Sequence, residues 1–231
     1  IGVTLITAGV YRGMIDDAQA MLDNSGADLW VVQQDTLGPY AEPSSLPDDA
    51  YRSLRLTRGV EQVVNITYLT MQARRGSQDV RTMVVGVAPG ASTQPGWPRH
   101  LVAGRHLTHS HYEAVADIAS GFALGDRIQI RRKQYTVVGL TRRMVSSGGD
   151  PMIFIPLKDA QEAQFLKDND AIWQSRRRTQ ANPAFNRPGA PGVLDAVIAS
   201  QSSNTSVNAV LVTLQPGHSA DEVAQSIERW K

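Results

Sequence analysis

Ala123-Leu-Gly-Asp-Arg-Ile-Gln-Ile-Arg-Arg-Lys-Gln-Tyr-Thr-Val-Val-Gly-Leu140 is the stretch on which the reading of this chain turns. Gly125-Asp126 is a turn pair, because glycine enters positive φ freely and aspartate hydrogen-bonds its own backbone. Ile128 and Ile130 then alternate with polar neighbours, the two-residue period of a strand with one buried face. Arg131, Arg132 and Lys133 interrupt the alternation, and Tyr135–Val138 resumes it with residues that strands favour. The spacing predicts a strand, a charged turn and a returning strand closed by Gly139. Taken alone, such a hairpin fits any small β-rich domain.

The chain around it has 231 residues, enough for one large domain or two small ones. Lys and Arg number 23 against 22 Asp and Glu, a formal charge of +1. That balance provides no broad basic surface for nucleic acid. The absence of cysteine excludes disulfides, thiolate metal sites and cysteine nucleophiles, and leaves the redox compartment open. No run of about 18 apolar residues is long enough to span a bilayer, and no signal peptide is recognisable. Ile1 at one end and Trp230-Lys231 at the other lead us to expect a piece of a longer chain, with both ends suited to a membrane edge.

Upstream of the hairpin, Leu5, Ala8, Tyr11, Ile15, Ala18 and Leu22 recur at three- and four-residue steps. They predict one amphipathic helix over 1–22, roughly 33 Å long, ended by Asn24-Ser-Gly26. It reads either as a core-packing helix or as a stalk continuing from a transmembrane helix. Leu29-Trp-Val-Val32 predicts a buried strand within 28–33. Gly38, Pro39, Pro43 and Pro47 predict a loop. A helix is expected over 48–58, with acidic residues in its first turn and Gly59 as its stop. Strands over 60–73 and 80–87 follow, joined by a turn over 74–79, with Leu69, Met71 and Ala73 on one side. Pro89–Pro98 is the first domain boundary, with Trp97 packing it down, and 100–110 is irregular or short-strand chain.

Over 110–121 two readings compete. Ser110 and Glu113 fit a capping box, with Tyr112, Val115, Ala116 and Ala119 as a helical stripe. The other comes with the resemblance set out below. Beyond the hairpin we expect a flexible loop over 142–150 and a buried strand at Met152-Ile-Phe-Ile-Pro156. A helix over 158–167 comes next. The stretch 169–204 is polar and rich in Arg, Pro, Gly and Ser, with only 193–198 looking ordered. We expect a partly helical, mobile excursion there, since structureless runs of that length are uncommon in compact domains. A strand over 207–214 and a helix opened by Ser219 and Glu222 as a capping box close the chain, with Ala220, Val223, Ala224 and Ile227 as its stripe.

Glu113-Ala-Val-Ala-Asp, Leu124-Gly-Asp-Arg-Ile and Tyr135-Thr-Val-Val-Gly-Leu, in that order, resemble a segment of the MacB-type ABC transporter permeases, including their DevC-like branch. Met152-Ile-Phe-Ile-Pro-Leu and Val207-Asn-Ala-Val-Leu-Val-Thr-Leu-Gln-Pro-Gly add to the likeness, which covers nearly the whole chain except 169–204. The resemblance implies a strand over 112–116 and a small helix over 117–122, and we expect these in place of the capping-box helix. It implies an α+β fold: a split, porter-like α/β subdomain of strand-helix-strand units over 1–88 and 151–231, and a smaller mixed α/β subdomain inserted over 89–150. It further implies a periplasmic domain of an inner-membrane permease, without bond chemistry of its own. The partners it implies are the flanking transmembrane helices, a cytoplasmic ATPase subunit and a second permease copy. A periplasmic adaptor (membrane fusion) protein and an outer-membrane channel complete the set, and nucleic acid is not among them. The domain would couple ATP-driven helix movement to export or extraction.

Rival chemistry centres on His106, His109 and His111, with His100 and Glu113 nearby. Imidazoles and a carboxylate are metal ligands, and in an extended chain His109 and His111 would share a face. No distant motif completes a site, so the reading assigns no catalytic, cofactor-binding or metal residue and no cofactor. Ser110 between two histidines is not triad geometry, and there is no Gly-x-Ser-x-Gly elbow. Phosphate-loop and dinucleotide motifs are absent. Arg176-Arg-Arg178 reads as a solvated charge run or a contact for anionic lipid or an acidic partner. Asn65-Ile-Thr67 and Asn204-Thr-Ser206 read as chance glycosylation triplets. A free-standing periplasmic ligand- or peptide-binding module and a histidine-based metalloenzyme remain the alternatives.

Overall fold

Sixteen consecutive residues of one strand, Val60–Arg75, form the spine of the molecule. The computed structural model describes residues 22–34, 36, 44–90, 93–164, 177 and 206–229. The expected helix over 1–22, apart from Leu22, the 38–43 part of the loop, the excursion over 169–204 apart from Arg177, with its ordered part at 193–198, and the Trp230-Lys231 end lie outside those residues. Residues 22–25 are helical, and Gly26 at φ 63° ends them where the sequence placed the stop.

In chain order the elements are β1 (Leu29–Val31), β2 (Leu46–Pro47), α1 (Ala50–Arg55), β3 (Val60–Arg75), β4 (Gln78–Val87) and β5 (Leu101–Gly104). Then come β6 (Glu113–Asp117), a 3-10 turn (Ile118–Ser120), β7 (Arg127–Ile130), β8 (Lys133–Thr141), β9 (Met152–Pro156) and α2 (Leu157–Gln164). The last described elements are β10 (Ser206–Val207), β11 (Ala209–Leu214) and α3 (Ala220–Glu228). Nine strands hydrogen-bond in the order β1-β11-β3-β4-β9-β6-β8-β5, with β7 between β8 and β3. Strands dominate and the helices lie against the sheet, the α+β class expected.

Since β7 pairs with both β8 and the far end of β3, strands β3, β4, β9, β6, β8 and β7 close into a ring. Inside it pack Ala73, Val84, Ala114, Ala116, Ile128, Ile130, Tyr135, Val137, Ile153 and Ile155, all buried. Alternation sends their neighbours to the opposite face. There Ile66, Val85, Val87, Val115, Phe154 and Leu211 form a second core with Trp97 and Leu107. Trp97 is 2% exposed and packs the proline-rich stretch onto the sheet, as expected.

Residues 101–141 supply β5, β6, β7 and β8 as one block. The strands before and after this block, β4 and β9, lie side by side in parallel, with Met83 opposite Met152 and Val87 opposite Pro156. The sheet is therefore continuous through both parts of the chain. Gly86 sits at this seam, where a Cβ would stand 2.3 Å from the Cβ of Ala160 in α2.

Several boundaries differ from expectation, each for a local reason. Glu113–Asp117 is a fully buried strand followed by a 3-10 turn, so the capping-box helix over 110–121 does not form. Lys133 belongs to β8, and only Arg131-Arg132 turn, with Arg131 at φ 53°. Gly139 does not close β8; it lets the Arg105 carbonyl approach, which a Cβ would meet at 2.2 Å. The β3–β4 turn narrows to Gly76-Ser77, since Arg74 and Asp79 are a cross-strand ion pair at 2.6 Å. Asp48 and Asp49 precede α1 rather than filling its first turn. Ser219 occupies the N-cap position of α3 without a side-chain capping bond, so its capping box is not made. Asn208 divides the last strand because its side chain bridges elsewhere, donating to Ser44 O and accepting from Tyr68 N–H. The 142–150 loop is tied by Ser146, whose buried hydroxyl accepts from Gly148 N–H and Asp150 N–H.

Candidate coupling junction

Two sets of polar contacts fasten the 101–141 block to the rest of the molecule, one on each face of the sheet. The first is built on Asp159, in the first turn of α2 and 0% exposed. A carboxylate is costly to bury unless each oxygen is paired. Here Oδ2 accepts from Tyr112 N–H at 2.9 Å. Oδ1 lies 2.7 Å from His111 Nδ1 and 3.3 Å from Lys133 Nζ. Because an ionised carboxylate only accepts, His111 Nδ1 carries the hydrogen. Lys133 also reaches Glu162 and lies 5.5 Å from the centre of the Tyr112 ring. Burial pulls the Lys133 ammonium down, but Glu162 and Asp159 outweigh it and hold its pKa above the ordinary value. Burial foremost, and then the charges of Asp159 and Glu162, push the nearby Tyr135 hydroxyl well above the usual tyrosine range.

The second set lies where the chain leaves residues 22–25. Asn24 Nδ2 donates to the Arg143 carbonyl at 3.1 Å, and Asn24 Oδ1 lies 3.1 Å from His100 Nε2. Next to it, Gly96 N–H donates to Ser25 O at 2.6 Å. One asparagine thus holds both loops that border the block. Backbone strain concentrates at these two fastenings. Among the described residues four non-glycine positions have positive φ, and three are His100 (54°), Tyr112 (64°) and Arg143 (62°). Such conformations cost of order 1–3 kcal/mol each and persist only where surrounding contacts impose them.

A third carboxylate shapes the block from within. Glu113, 7% exposed, accepts from Thr108 N–H (2.8 Å), His109 N–H (3.1 Å), His109 Nδ1 (2.6 Å) and both Nη atoms of Arg105. Burial opposes its charge, but Arg105 and the backbone donors prevail and hold its pKa far below the ordinary carboxylate value. The stability it contributes is complete above its unfolded-state pKa of about 4.3 and is lost as pH falls toward the depressed folded value. Glu113→Gln is expected to cost about 2 kcal/mol near pH 7 and to flatten the pH dependence of urea midpoints below pH 5. An undiminished acid slope in the variant would contradict this role.

The histidine run therefore disperses. His109 turns to Glu113, His111 to Asp159, and His100 to Asn24. His106 packs on Trp97 with ring centroids 5.5 Å apart, and burial lowers its pKa. Among the described residues no three His, Asp or Glu side chains converge on a common metal position. No hydrogen bond joins Ser110 to either neighbouring ring among those residues. The Leu-Gly-Asp turn also acquires a use: Asp126 accepts from Ala123 N–H at 2.8 Å and from Arg75 at 2.5 Å, joining the turn to the end of β3. No local sequence signal marks Asp159 or Asn24 as a fastening point. Asp159 looks like an ordinary acid at a helix start, and Asn24 like a helix stop; neither spacing reveals a partner 48 or 119 residues away.

Residues 1–230 match the family model described as MacB-like periplasmic core domain. An uncharacterized ABC transporter permease of Mycobacterium tuberculosis is 24% identical over 216 residues, covering 91% of this chain and 60% of the relative. One from Mycobacterium bovis is 22% identical over 163 residues, covering 71% of this chain and 45% of the relative. The chain thus spans at most 60% of the length of these curated relatives. The crystal structure of the periplasmic region of MacB from Actinobacillus actinomycetemcomitans superposes with a TM-score of 0.53 at 11% identity, covering 90% of this chain and 86% of that one. That likeness is one of fold.

Proposed function

This chain belongs to the MacB-like periplasmic core domains, the extracytoplasmic and non-enzymatic part of ABC transporter permeases, and from that premise we propose that it is a mechanical coupler. Movement of membrane-spanning helices, driven by a cytoplasmic ATPase, enters through the chain that precedes residue 22. Asn24 and Ser25 pass it to the loops at His100, Gly96 and Arg143, and the Asp159 cluster keeps α2 moving with the same block. Export or extraction of a substrate is the output. We propose residues 1–88 and 151–231 as the split porter-like unit and 89–150 as the insert. In this reading the working assembly is a permease dimer, and the insert meets a periplasmic adaptor protein that leads to an outer-membrane channel.

The observation that carries the reading is the Asn24 bridge, since it joins the segment leading from residue 22 to two loops of the insert with one side chain. Physical coupling between distant parts needs packed or hydrogen-bonded continuity with few alternative arrangements. Asn24→Ala in the complete permease, assayed with its ATPase in liposomes, is expected to leave ATP hydrolysis intact and to lower transport roughly tenfold. Unchanged transport in a correctly folded variant would remove Asn24 from the path.

A further inference from the structure

The two edges of β3 are used unequally. One edge pairs with β4 continuously from Ile66 to Arg75. The other pairs with β11 from Val60 to Ile66, and with β7 only at Ala73 and Arg74. Between those partners, residues 67–72 face no strand on that edge among the described residues. Tyr68 N–H points there and is satisfied by Asn208 Oδ1 at 2.9 Å. Asn208 N–H in turn donates to Ile66 O at 3.2 Å. Backbone groups alternate between the two edges of a strand, so Thr70, two residues beyond Tyr68, turns its N–H and C=O to this same opening.

An open groove of about 360 Å³ lies at that place, lined in part by Thr70, Gln72, Gln129 and Arg131. Arg131 sits at the hairpin tip with an exposed guanidinium and no carboxylate partner among the described residues. Arg74, also at the groove, is already paired with Asp79. The opening therefore offers an unmatched strand edge, the Gln72 amide, the oxygen of the Gln129 amide (its nitrogen donates to Arg131 O at 2.9 Å) and one uncompensated positive charge. Unpaired edges are templates for an added strand, with backbone bonds giving affinity and flanking side chains giving selectivity.

We propose that this opening receives an extended, acidic segment of another protein, which adds to the Thr70 edge as a short strand between β11 and β7 and sets a carboxylate on Arg131. Beyond Tyr68, which Asn208 already satisfies, residues 69–72 leave roughly 13 Å of edge, room for a strand of about four residues. This binding mode does not depend on the coupling role of the Asn24 bridge.

The test uses this chain and two acetylated, amidated tetrapeptides of threonine and valine, one with glutamate and one with lysine at the second position. Amide hydrogen exchange at Thr70 and peptide affinity are read by NMR. Exchange at Thr70 should be fast in the free chain and slow by about tenfold or more with the glutamate peptide. The lysine peptide should bind about fivefold more weakly, and Arg131→Glu should reverse that order. If that variant fails to fold, Arg131→Gln should bind both peptides equally. Protection of Thr70 already present in the free chain, no slowing with either peptide, or equal affinities unaffected by Arg131 would each overturn the proposal.

Discussion

Asp159→Asn is expected to lower the unfolding free energy of the domain by about 3 kcal/mol. The variant keeps the shape of the side chain but not its charge or its second acceptor. Three donors converge on the native carboxylate: Tyr112 N–H, His111 Nδ1 and Lys133 Nζ. An amide accepts with one oxygen, so its NH₂ must face at least one donor in a site that is 0% exposed. Orphaned buried donors cost about 1–3 kcal/mol each, and with the amide oxygen kept on His111 and Lys133 it is Tyr112 that loses the bond holding its positive φ. Lys133 is 30% exposed and still has Glu162, so its share of the loss is small. Urea unfolding should show a lower midpoint with an unchanged slope. A midpoint shift below about 0.5 kcal/mol in equivalent energy would mean that water replaces the carboxylate freely.

The second large effect is steric. Gly86→Ala should destabilise by about 3 kcal/mol, because its Cβ would lie 2.3 Å from the Cβ of Ala160 and 3.4 Å from the Cα of Leu157. Helix α2 cannot retreat cheaply, since its first turn is pinned through Asp159. Ala160→Gly removes the clashing atom and alone should cost about 1 kcal/mol, the helix penalty of glycine. The double variant should be more stable than the sum of the single losses by at least about 1 kcal/mol. Additive losses would mean that the sheet, not the helix, absorbs the insertion.

How much of this was visible in the sequence depends on the range of the interaction concerned. The Leu-Gly-Asp hairpin was legible because turn residues and alternation act within a few positions, and Gly125 does adopt positive φ at 83°. The buried strand at Met152–Pro156 was legible from its apolar run. Ring closure was not, since it rests on two residues of β7 meeting β3 more than fifty positions upstream. Gly139 misled for the same reason: its small size serves the Arg105 carbonyl, a contact that no local rule contains. The histidine spacing suggested a shared face, whereas positive φ at Tyr112 and the separate carboxylates of Glu113 and Asp159 send the rings to different partners. The Ser219 capping box failed although its letters were right, because a motif supplies donors and acceptors but not their torsion angles.

The coupling role is tested most directly by distances measured during the transport cycle. Asp23 and Arg142 are exposed and flank the Asn24 bridge, and the chain has no cysteine of its own. Spin labels placed by Asp23→Cys and Arg142→Cys in the complete permease, read by double electron–electron resonance, would report on both sides of that bridge. If the domain couples as proposed, the 23-to-142 separation stays unchanged between nucleotide-free and ATP-bound states, while the separation between the two copies of position 142 in the proposed dimer shifts. A changing 23-to-142 separation with static inserts would contradict it, since the bridge would then slip rather than transmit.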